Sequence, residues 1–141
     1  MRIDDLWAYI VANNAPFIAA LTSAEYPLVT LTDKMRTRDP EAIPGDKVAV
    51  YLDAAAEDIE EDAPSFRIVK LVVEIYAIVN RAKEAQMREQ SRLYAKAIEN
   101  CLRAYPYFFS VVGRDYFEGL DGNPDLKAAK LTIECKYEED I

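Results

Sequence analysis

The side chains of this sequence best equipped for chemistry fall into three groups. They are the carboxylates Glu57, Asp58, Glu60, Glu61 and Asp62, the thiols Cys101 and Cys135, and the cations Arg88, Arg92 and Lys96. Clustered carboxylates could collect Mg2+ or Ca2+. This run has no second ligand set beside it, so it reads as a solvated hairpin loop whose charge resists aggregation. Asp121, Asn123 and Asp125 match the opening of a calcium loop, but Leu126 stands where such a loop needs glycine. Thr132 stands where it needs a bidentate glutamate, and hairpin-turn residues explain the stretch better.

The rest of the chemical inventory is thin. Histidine is absent, which removes His-based triads, His metal sites and imidazole switches. Two cysteines cannot build a zinc site of the usual kind. Both lie on apolar faces of their elements, which predicts buried, unreactive thiols in a reducing compartment. The glycines, Gly45, Gly113, Gly119 and Gly122, form no phosphate-binding loop, and no serine sits in a nucleophile motif. No catalytic residue, cofactor or metal is expected, and the chain reads as a non-enzyme. Its formal net charge is −8. That surface opposes DNA wrapping and docking on anionic membranes, and it suits contacts between charge-matched protein patches.

These groups need elements to position them. Ile3, Leu6, Trp7, Ile10 and Val11 recur at helical spacing, with Asn13, Asn14 and Pro16 as a stop and a further turn or two over Phe17–Leu21. Residues 23–46 read as a long loop, with a short strand possible over Leu28–Thr32. Val48–Asp53 reads as a strand and 53–65 as an acidic loop. Phe66–Val79 is a long strand whose odd positions, Val69 to Val79, are all apolar and must face a core. Its even positions, Ile68, Lys70, Val72, Glu74, Tyr76 and Ile78, are mixed, so something covers that face in part. The cover is either the N-terminal helix or a neighbouring subunit. Arg81–Tyr105 reads as a long helix with a core stripe from Met87 to Tyr105 and a separate basic stripe through Arg81, Arg88, Arg92, Lys96 and Arg103. Tyr107–Phe117 and Ala128–Tyr137 complete a second hairpin, followed by a solvated tail, Glu138, Glu139 and Asp140.

The expected product is one α+β domain over 1–141. It has a small, mainly antiparallel sheet of two hairpins, one long helix on a face and a short N-terminal helix. The basic stripe is expected to meet an acidic protein surface, with the 57–62 run of a second copy as one candidate. A contact between two different patches closes a ring when repeated around an axis.

This order resembles the tail-terminator and tail-completion proteins of tailed bacteriophages. The stretches that carry the resemblance are IDDLWAYIVANN, KVAVYLD, FRIVKLVVEIYAIVN running into RAKEAQMREQSRLYAKAIENCLRAY, and KLTIECKYEE. The acidic stretch between the first two strands is long for that pattern. The resemblance implies a ring, usually of about six subunits, that caps the tail tube and joins it to the neck or head. Its partners would be further copies of itself, tail tube protein and connector proteins, with DNA passing through unread. The protein would be assembled in the host cytoplasm and reside at the tail–neck junction of the virion. The even face of the long strand would meet a neighbour, and the acidic loop would line the lumen or touch the next copy. Alternatives are another connector or minor tail protein, a non-viral α+β binding or regulatory module, and a carboxylate–metal enzyme.

Overall fold

The computed structural model describes residues 3–23, 35–37, 48–80, 84–119 and 126–140. Its elements run α1 (Ile3–Ala12), α2 (Ala15–Ser23), β1 (Val48–Asp62), β2 (Phe66–Asn80), α3 (Glu84–Leu102), β3 (Phe108–Phe117) and β4 (Leu126–Asp140). The fold is α+β, as the sequence predicts. Four antiparallel strands form one sheet in the order β1-β2-β4-β3, so the two hairpins join through their second strands.

The helices follow from local chemistry. Leu6, Trp7 and Ile10 give α1 one buried stripe, and Asp4 and Asp5 lie in its first turn, where the helix dipole favours acids. Asn13 closes it, its side-chain Nδ2 donating to the Tyr9 carbonyl at 3.0 Å. Pro16 does not end a helix here; it sits in the first turn of α2, where a missing N–H leaves nothing unbonded. The Asn14 carbonyl accepts from Phe17 and Ile18 to start that helix. On α3 the buried stripe is Ser91, Tyr94, Ile98, Cys101 and Leu102. Tyr105 is also buried but lies past the helix, in the turn before Pro106.

All three helices contribute to the same core. Leu6, Trp7, Ile10, Phe17, Tyr94, Ile98 and Leu102 pack with Leu71, Val73, Ile75, Ala77 and Val79 of β2 and Leu131, Ile133 and Cys135 of β4. The odd face of β2 is therefore the helix-covered face, and α1 does not cover the even face. Among the described residues, none from the helices belongs to the smaller cluster on the other side, which is Ala49, Ile78, Leu126 and Ala128 under Tyr51, Tyr76 and Phe117.

Two expected boundaries move. The acidic run is not a loop: β1 extends through it to Asp62, and only Ala63, Pro64 and Ser65 form the turn. Asp, Glu and Ala are poor strand formers, so pairing with β2 decides the outcome against local preference. Glu138, Glu139 and Asp140 are not a free tail; they pair with Ile68, Arg67 and Phe66. The Leu28–Thr32 strand, most of the 23–46 loop, Arg81 and the 121–125 turn lie outside the described residues.

The pairing of β2 with β4 is unbroken from Phe66↔Asp140 to Asn80↔Leu126. Register shifts occur only in the edge strands, between Ala54/Ala56 and Ile59/Glu61 of β1 and between Phe108/Ser110 and Val111/Gly113 of β3. Bulges and acids on edge strands discourage strand-to-strand addition, so the faces are the better surfaces for specific contacts.

Candidate functional site

The strand register assembles the second sheet face row by row. Tyr51, Tyr76, Lys130 and Asp115 share one row, and Asp53, Glu74 and Thr132 share the next. Ala56, Val72, Glu134 and Ser110 follow, then Asp58, Lys70 and Lys136, then Glu61, Ile68 and Glu138. The structure thus brings the expected contact residues Ile68, Lys70, Val72, Glu74 and Tyr76 onto one half-buried surface. Ile78 is the exception. It is 0% exposed beneath Tyr51, Tyr76 and Phe117, so it supports the surface from below and is not a contact residue.

This face shields itself. Lys136 contacts Glu60 at 2.9 Å, Lys70 reaches Glu60 at 3.7 Å and Glu134 at 3.8 Å, and Lys130 lies between Glu74 and Asp115. The Tyr76 hydroxyl donates to Glu74 at 2.7 Å, and its ring packs between Tyr51 and Phe117. Lys136 also lies over the Phe109 ring at 3.8 Å. Ion pairs this exposed contribute little to stability, so their main effect is to set the charge pattern. The Lys136 hydrogen bond, aided by Lys70, holds the Glu60 carboxyl below its ordinary value. Acids on the face outnumber its three lysines, and the surface remains acidic.

The acidic run divides between the two faces. Asp58, Glu60 and Glu61 lie on the open face, while Glu57 turns to the helix side and accepts from the Tyr137 hydroxyl at 3.2 Å. Asp62 pairs with Arg67 across the turn at 3.0 Å. With Glu60 and Asp62 already paired, the hairpin presents less free charge than the sequence suggests.

Arg88, Arg92 and Lys96 are exposed on α3, which packs on the opposite side of the sheet from the open face. Arg88 pairs with Glu118, and the Arg92 guanidinium lies 4.3 Å over the Tyr116 ring. Within one subunit, then, the two halves of the expected interface stay apart. A head-to-tail arrangement is the one that lets them meet.

Two groupings escaped the sequence reading. Glu99, 2% exposed, accepts from Arg103 one helical turn on at 2.9 Å and from Arg114 of β3 at 2.5 Å. Tyr105, Tyr107 and Tyr137 line one cavity with Asp5 and Glu138. The pairing in chain order of Tyr105 and Tyr107 was the only local signal for it. Both thiols are buried, and burial raises Cys101 and pushes Cys135 up to about 11. Among the described residues no three carboxylates or thiols converge to hold a metal ion, and no helix is long and apolar enough to cross a membrane.

No protein-family model and no curated protein matches the sequence.

Proposed function

We propose that the protein is a ring-forming structural component of a tailed-bacteriophage particle, a tail-terminator or tail-completion protein at the tail–neck junction. The observation that carries this reading is the separation of charge across the fold. One side is an acidic sheet face that, among the described residues, no helix residue joins. The other is the exposed face of α3, with Arg88, Arg92, Lys96 and Arg103. Two unlike, complementary patches on opposite sides of one subunit are what a heterologous, ring-closing contact requires. In this arrangement Lys70, Val72, Glu74 and Tyr76 of one copy face the basic stripe of the next. The bulged edges keep the contact face to face.

The partners under this reading are further copies of the chain, tail tube protein and neck or head connectors. DNA passes through the ring without specific contacts, and the protein works in the virion after assembly in the host cytoplasm. Binding to purified tail tubes is the test. Saturable capping of tube ends, abolished by Arg92→Glu with Lys96→Glu, supports the reading; the absence of both capping and self-assembly removes it. A small binding module is the second reading, favoured by the tyrosine-lined cavity. It fits a protein that is a monomer or dimer and does not close a ring.

A further inference from the structure

A cavity of about 360 Å3 opens between the start of α1, the turn after α3 and the end of β4. That volume lies within the range of small-molecule sites, roughly 300–1,000 Å3. Its lining is Tyr105, Tyr107, Tyr137, Asp5 and Glu138; the strand register turns the Glu138 side chain to the open face, so Asp5 is the carboxylate of the lining. Tyr105 and Tyr107 have ring centroids 5.5 Å apart at 59°, and Tyr107 and Tyr137 are 6.5 Å apart at 79°. Rings meeting so steeply form corners, and separations this short let one bound group lie within about 6 Å of more than one centroid. The negative face of an aromatic ring attracts cations, and the Asp5 carboxylate at the same opening adds to that attraction.

The walls are fixed before any ligand arrives. Tyr105 is 6% exposed and packs edge-on against Tyr9 at 4.7 Å. The Lys136 N–H donates to the Tyr107 carbonyl at 2.9 Å, tying that residue to β4. The Tyr137 hydroxyl donates to Glu57 at 3.2 Å, which places a second carboxylate behind the cage. Burial is the first cause of the raised Tyr105 value, about 12, and Asp5 adds to it; at Tyr137 burial again comes first and Glu57 second.

We infer that the cavity bounded by Tyr105, Tyr107, Tyr137, Asp5 and Glu138 is a binding site for an organic cation of the guanidinium or alkylammonium class. Such a group reaches the protein either as an arginine or lysine side chain of a partner or as a small quaternary amine. The site stands independently of the ring reading, because every residue that forms it belongs to one subunit.

The test titrates the intact protein with Nα-acetyl-arginine amide, with choline and with 3,3-dimethylbutanol, the neutral isostere of choline, following tyrosine ring resonances by NMR. At least one cation is expected to saturate shifts at Tyr105, Tyr107 and Tyr137, while the neutral alcohol does not. Tyr107 is 45% exposed, so Tyr107→Ala is expected to keep the fold and to weaken cation binding by about tenfold, with Tyr107→Phe restoring it. Asp5→Asn weakens it by a smaller factor. Preference for the arginine amide assigns the site to a partner's side chain; preference for choline assigns it to a free quaternary amine. The proposal is overturned if neither cation saturates the shifts, if the alcohol binds as well as choline, or if Tyr107→Ala leaves the affinity unchanged. Backbone spectra of each variant confirm that the fold is retained.

Discussion

Replacing Glu99 with glutamine, and separately replacing both of its arginines with alanine, exposes an asymmetry in how α3 is tied to β3. The Glu99 side chain is 2% exposed, whereas those of Arg103 and Arg114 are 62% and 44% exposed. Both guanidiniums touch it, at 2.9 and 2.5 Å. A hydrogen bond to a charged group contributes about 1.5–3 kcal/mol. In Glu99→Gln both contacts weaken, but the half-exposed arginines recover water, so the expected cost is about 2 kcal/mol. In Arg103→Ala with Arg114→Ala the carboxylate stays buried with neither cation, and the expected cost is about 3–5 kcal/mol. Each single arginine variant leaves one cation in place and costs about 1–2 kcal/mol, so the double variant costs more than the singles summed. Urea unfolding followed by circular dichroism measures all four. A glutamine variant less stable than the double arginine variant, or strict additivity of the arginines, would refute the reasoning.

Other consequences follow from the same contacts. Glu60 has a folded-state value lowered from its ordinary 4.5, so its stabilising effect is complete above that value and is lost as pH falls through the lower, folded one. The stability difference between the wild type and Glu60→Gln is therefore expected to stay constant above the ordinary value of 4.5 and to shrink as pH falls below it; a difference unchanged on acidification would contradict the Lys136 contact. Cys101 and Cys135 are buried, and Cys135 is pushed up to about 11, so neither thiol is expected to react with an aromatic disulfide reagent near neutral pH until the protein unfolds. Rapid labelling of the native protein would show that the helix-covered core opens.

Periodicity made the core legible. The unbroken apolar set at odd positions of β2 and the Tyr94–Ile98–Cys101 stripe of α3 leave a sheet and helix one way to pack, and that packing is observed. The length of β1 was not legible. Its Ala and acidic residues carry no alternation, and only the partner strand, with Lys70 beside Glu60 and Arg67 beside Asp62, makes them a strand. Ile78 looked like a contact residue because its face is otherwise mixed; Tyr51 and Phe117, which arrive from β1 and β3, bury it. The Glu99–Arg114 contact and the tyrosine cage join residues from separate elements, and no local pattern encodes such a meeting. The charge stripes were readable, but their opposition across the sheet emerges only from the topology.

The central claim is that the open sheet face and the basic face of α3 join successive copies. Light scattering on the purified protein, with Val72→Asp alongside it, tests this most directly. Val72 is half-buried at the middle of the open face, so a carboxylate there should leave the fold intact. The account predicts a closed assembly of about six chains for the wild type, loosened by high salt, and a folded monomer for the variant. A wild type that stays monomeric at every concentration and does not bind tail tubes, or a ring that persists in Val72→Asp, would contradict it.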